Sequence, residues 1–215
     1  MDDEKEPPTI QDLRDCVMEG NMDFFLAIVN LFSNGELNTL FEDGTTLLHL
    51  SCLFNRPKFL ECLMGKLTVN PNITNKDGMT PLMQACTLGH LKLVRILLRN
   101  PMVDHNCIDK EGLTALRRAC HFGYYLVVRE LLVSGRDFYT GKPGDRATDC
   151  LFFVPNIQNR ESLVKLVEKY RQDPNGTREL IKEDLAFEKD ITGDDEPEEE
   201  VFGSQERVFK KRKTE

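Results

Sequence analysis

An all-α solenoid of stacked helix-turn-helix pairs with capping ends is the fold class that this sequence predicts, and three observations predict it. The first is an internal repeat. Thr46, Thr80, Thr114 and Thr148 recur at a step of about 34 residues, and Gly44, Gly78 and Gly112 keep the same step, as do Cys52, Cys86 and Cys120. The second is a helical apolar face within each copy, seen in Phe59, Leu60, Leu63 and Met64, in Leu93, Val94, Leu97 and Leu98, and in Val127, Val128, Leu131 and Leu132. The third is that no segment reads convincingly as a strand. A helix pair of this size has too little apolar surface to stand alone, so the copies must bury their faces against one another.

The elements follow in order. Residues 1–8, "MDDEKEPP", form an acidic, Pro-containing N-terminus that is expected to be disordered and is neither a secretory signal nor a transit peptide. Residues 9–43 read as a degenerate capping pair, "TIQDLRDCVMEGNMDFFLAIVNLF", with Gly20 at the inter-helix position. Repeats follow at about 44–77, 78–111 and 112–145. Each opens with a turn whose Gly can take positive φ, followed by a Thr that can cap the inner helix. Pro81 stands at the first helical position, where its missing N–H costs nothing. Ser51, Ala85 and Ala119, each followed by its Cys, allow close helix approach, and Gly89 and Gly123 end the inner helix, with Asn55 in their place in the first copy. A divergent repeat at 146–172 keeps Thr148, is interrupted by Pro155 and ends in a polar outer helix, "NRESLVKLVEKY". The tail, 173–215, holds a helix from about Thr177, an acidic block from Asp194 to Glu200, and the basic cluster Lys210, Lys211, Arg212 and Lys213.

The formal charge of −8 disfavours a direct nucleic-acid binder, which would carry a basic face. No apolar run is long enough to span a bilayer, so membrane association is not expected. Seven cysteines are an odd number with no CxxC pair, and they read as reduced packing residues of an intracellular protein. Together these features predict a soluble chain, cytoplasmic or also nuclear, and monomeric.

The runs "TPLMQACTLGHLKLVRILL", "TALRRACHFGYYLVVRELL" and "TTLLHLSCLFNRPKFLECL" resemble the ankyrin repeat, over roughly residues 9 to 170. Only the first copy keeps the signature His, as His49; Met83 and Arg117 replace it in the others. The resemblance implies a protein-binding module whose partner lies across the turn tips and the concave face of the inner helices. By position it implies turn-tip residues Thr45, Met79 and Leu113, and inner-helix residues Leu50, Gln84 and Arg118. It also implies Leu53 with Phe54, Thr87 with Leu88, and His121 with Phe122. Phe54, Leu88 and Phe122 share one register and should form an apolar stripe, rimmed by Lys76, Lys110, Arg117 and Arg118. The same residues could instead pack against the next repeat. His49 and His90 resemble histidines that tie neighbouring turns together. Asn72 and Asn106 resemble structural loop asparagines, and "LRNPMVDHN" also resembles the substrates of an asparaginyl hydroxylase.

No catalytic constellation accompanies the repeats: there is no P-loop, no metal-ligand cluster and no cofactor fingerprint. Cys120 and His121 are adjacent, but neighbours on a helix point about 100° apart. The expected function is therefore a non-enzymatic adaptor, scaffold or regulator with an unidentified protein partner and no cofactor. Two alternatives stay open: a nuclear regulator imported through Lys210–Lys213, or the substrate-recognition subunit of an enzyme complex. The basic cluster also fits a solvated tail that balances the acidic block.

Overall fold

The computed structural model describes residues 6–33, 35–136, 138–140, 144, 149–151, 154 and 160–192, with side chains to Asp184. The chain divides into two compact units, residues 1–179 and 180–215, and the described part of the second is the remainder of one helix, to Thr192. Thr148, Pro155, the acidic block and the basic cluster lie outside the described residues. Among the described residues the secondary structure is helical, with no strand.

The inner helices are α1 (Ile10–Glu19), α3 (Leu47–Leu53), α5 (Pro81–Leu88) and α7 (Ala115–Phe122). The outer helices are α2 (Met22–Ile28), α4 (Pro57–Met64), α6 (Leu91–Arg99), α8 (Tyr125–Val133) and α9 (Arg160–Gln172). The last helix, α10, spans Pro174–Thr192, three residues earlier than the periodicity suggests. The Asp173 carboxylate accepts the Gly176 N–H at 2.9 Å, so the helix starts at the Asp-Pro step.

Inner helices pack in sequence, α1 on α3, α3 on α5 and α5 on α7, and outer helices do the same from α4 through α9. Phe25 of α2 meets Phe59 of α4 edge to face, with ring centroids 4.9 Å apart. Leu48, Leu82 and Leu116 on the inner helices and Leu63, Leu97 and Leu131 on the outer ones are core, whereas Met64 and Leu98, expected on the same outer face, are half-buried. Burying one such leucine is worth about 1.5–3 kcal/mol, so stacking is the main source of stability.

Local chemistry sets each boundary. The hydroxyls of Thr46, Thr80 and Thr114 accept the N–H of His49, Met83 and Arg117, three residues into α3, α5 and α7. Gly44, Gly78 and Gly112 have φ of 76°, 78° and 73°, a conformation that L side chains disfavour. At the far end of α3, Asn55 adopts φ 49°, where α5 and α7 use Gly89 and Gly123.

Polar bridges join each copy to the next. The Asn38 amide donates to the Thr68 carbonyl at 2.8 Å and accepts the Asn70 N–H at 2.7 Å. Asn72 repeats this with the Met102 carbonyl and the Asp104 N–H, at 2.7 and 2.8 Å, and Asn106 accepts the Tyr139 N–H at 3.2 Å. Arginines close the outward ends of earlier helices. Arg56 donates to the Val17 and Met18 carbonyls at 3.3 and 3.1 Å, at the end of α1. Arg136 donates to the carbonyls of Leu98, Asn100 and Val103 after α6, and Arg178 to those of Leu132 and Arg136 after α8. A cation at a helix C-terminus both fills orphan carbonyls and complements the helix dipole.

Candidate interaction surface

Three inner helices and the turns before them place the residues that sequence reasoning singled out. At the turns, Met79 and Leu113 are half-buried. The side chains of Leu53 and Leu88 are also half-buried, and His121 is exposed. Phe54 and Phe122, one register and two repeats apart, are 37 % and 38 % exposed. Phe122 lies against His121 with ring centroids at 5.0 Å and stacks on Tyr124 at 6.1 Å. The register therefore runs half-open along the stack, with Phe54 and Phe122 open to solvent and Leu88 between them.

Two members of the expected site are not accessible. Leu50 is 2 % and Gln84 9 % exposed, because their register lies where consecutive inner helices pack on one another. The third member, Arg118, keeps a little exposure but is held by Asp109, at 2.5 Å, and by Glu111, at 3.4 Å. The basic rim needs a similar correction. Arg117 is 7 % exposed, and the Lys76 ammonium donates to the Glu42 carbonyl.

Two exposed lysines that repeat in step were missed. Lys58 and Lys92 are the second residues of α4 and α6, four residues after Phe54 and Leu88. The step of 34 that revealed the stripe was the available signal. Neither lysine makes a hydrogen bond or ion pair among the described residues.

The titratable groups speak against covalent chemistry on this face. Cys52, Cys86 and Cys120 are fully buried. Burial pushes the Cys52 and Cys86 thiols well up. A hydrogen bond with Cys150, together with burial, does the same for Cys120. A thiol held this high carries almost no nucleophilic thiolate near neutral pH. Cys120 points into the core while His121 points to solvent.

His49 is equally structural. Its Nδ1 accepts the Thr46 N–H at 3.2 Å and lies 2.9 Å from the Thr46 hydroxyl, so Nε2 carries the proton and donates to the Met79 carbonyl at 2.9 Å. Burial lowers the pKa of His49, and that of His90 to about 4, so both are neutral at physiological pH. Among the described residues no group of three His, Cys, Asp or Glu side chains could hold a metal ion, and no helix is long and apolar enough to cross a membrane. A half-open recess of about 590 Å³ lies beside the first turn, lined by Gln11, Arg14, Leu40, Phe41, Glu42 and Asp43. There the Arg14 guanidinium sits 5.4 Å over the Phe41 ring and 3.9 Å from Asp43.

A family model for ankyrin repeats, in three copies, matches residues 13–101 and 48–141, and so more than half of the chain. No curated protein matches it.

Proposed function

The chain belongs to the ankyrin-repeat family, whose members generally serve as protein–protein interaction modules and are typically non-enzymatic, and from that premise we propose that it is an adaptor or regulator that holds a partner protein on the side of α3, α5 and α7 marked by Phe54, Leu88 and Phe122. The observation that carries this is the exposure of Phe54 and Phe122 in one register, beside inner-helix registers that are almost wholly buried. Apolar side chains at a fixed repeat on a folded surface are a solubility liability unless a partner covers them. Met79, Leu113, Leu53 and His121, half-buried or exposed, join the proposed contact set, and the buried Leu50 and Gln84 leave it.

The test compares affinity capture by the wild-type chain and by a Phe54→Ser, Leu88→Ser, Phe122→Ser variant, each checked for helical signal and cooperative melting. Loss of one specific co-purifying protein from a folded variant supports the assignment. Undiminished capture removes the stripe as the site. The sequence cluster Lys210–Lys213 supports a second reading, a nuclear location, which replacing the four residues with Gln would abolish in an imaging assay. The reading also takes the working unit to be a monomer, which light scattering of the purified chain would check.

A further inference from the structure

Charge is distributed unevenly along the stack. Residues 9–43 carry seven acidic residues and one basic one, whereas Gly44 to Arg136 carry twelve basic and six acidic. The six helices α3 to α8 hold only two carboxylates, Glu61 and Glu130, and Glu130 is paired with Arg95 at 2.8 Å. Against these stand seven basic residues in the same helices. Three of the four cations expected to rim the apolar register are already committed, Arg118 to Asp109 and Glu111, Lys76 to a carbonyl and Arg117 to the interior, while the fourth, Lys110, is exposed. Lys58 and Lys92 are not committed, and they are exposed and in step with Phe54 and Leu88.

Resting on the proposed binding function, we propose that the occupant of this side is an acidic segment of a partner protein, with apolar anchors that seat against Phe54, Leu88 and Phe122 and carboxylates that meet Lys58 and Lys92. Desolvation and long-range charge both favour this occupant. An unpaired ammonium beside an apolar anchor is solvated when free and would be left without a partner under a neutral or basic ligand, which costs affinity; a carboxylate removes that cost. The excess positive charge of the repeats also draws an acidic segment in, while the acidic first pair repels it. Together they confine the bound segment to the repeats between Gly44 and Arg136. Neighbouring helix pairs lie about 8–10 Å apart, so the anchors of the segment should recur at about that distance.

The experiment selects a displayed library of random 16-residue peptides on the purified full chain. Parallel selections use a Lys58→Glu, Lys92→Glu chain and a Phe54→Ser, Phe122→Ser chain, each verified as folded. The expected result is enrichment of net-negative peptides that contain apolar residues. That acidic bias should disappear or invert on the Lys58→Glu, Lys92→Glu chain. Neutral or basic winners, no enrichment at all, or an acidic bias that survives the lysine reversal would overturn the proposal. The serine variant separates the two readings. Enrichment that it abolishes, but that shows no charge preference, leaves the binding face standing and removes the acidic partner. Enrichment that it leaves intact removes the face itself.

Discussion

The turns at Gly78 and Gly112 share a backbone, with φ of 78° and 73°, and differ in what lies against them. A Cβ at Gly78 would come within 2.9 Å of the Lys110 backbone nitrogen and 3.3 Å of the Asp109 Cα, whereas one at Gly112 would meet nothing within 4 Å among the described residues. Gly44 resembles Gly78, with the Lys76 backbone nitrogen at 2.9 Å. One local signature thus serves two physical demands. Among the described residues, the glycine at Gly112 supplies only a conformation. At Gly44 and Gly78 it also lets the next repeat lie directly on the turn.

Alanine at each position would measure that difference. Gly78→Ala should cost about 3 kcal/mol, combining left-handed strain with a backbone clash that cannot relax cheaply. Gly112→Ala should cost about 1 kcal/mol, from strain alone. Urea unfolding of the two variants would show it, and equal losses would mean that the close approach carries no energetic weight.

Acid should separate the same regions by a smaller amount. His49 and His90 belong to the first two repeats, and the third has Arg117 and Tyr124 at those positions. Both histidines have folded pKa values below the unfolded value near 6.5. The unfolded chain therefore binds more protons as pH falls, and stability present above pH 6.5 is lost on the way down through the folded values. With His90 at about 4, its share of the loss by pH 5 is about 2 kcal/mol. Thermal unfolding at pH 7 and pH 5 would measure it. His90→Tyr, which installs the residue of the third copy, should flatten the difference; an unchanged slope would remove His90 as the cause.

The smallest effect is expected at the inter-helix position. Asn55 already takes the left-handed conformation at modest cost, so Asn55→Gly should change stability by less than about 0.5 kcal/mol, while Asn55→Ala should lose about 1 kcal/mol. Chemical denaturation of the pair would check the ordering.

The legible part of the fold is the part written locally. Thr46, Thr80 and Thr114 act within three residues of themselves, and Gly89 and Gly123 act on their own φ, so their spacing alone announces the helix ends. A cap outside the repeat left no periodic signal: the Thr9 N–H and hydroxyl both donate to the Asp12 carboxylate at the start of α1, at 2.6 and 2.8 Å. The proposed binding face was legible only as a register. Periodicity says which residues align but not which are covered, and cover is decided by the neighbouring helices. Leu50 and Gln84 are therefore buried although they sit on the expected side, and Arg117 is buried although charged. Arg56, Arg136 and Arg178 left no local trace, because their partners lie more than 30 residues earlier in the chain.

Those three arginines also give the stack a direction in time. Each fills the open end of a helix that was made before it: Arg56 reaches back to Val17, Arg136 to Leu98, and Arg178 to Leu132. On a ribosome adding about 5–20 residues per second, each of these three helices waits a few seconds until its closing arginine emerges. A nascent or prematurely terminated chain is thus always unfinished at its newest edge, the edge a chaperone or protease would read.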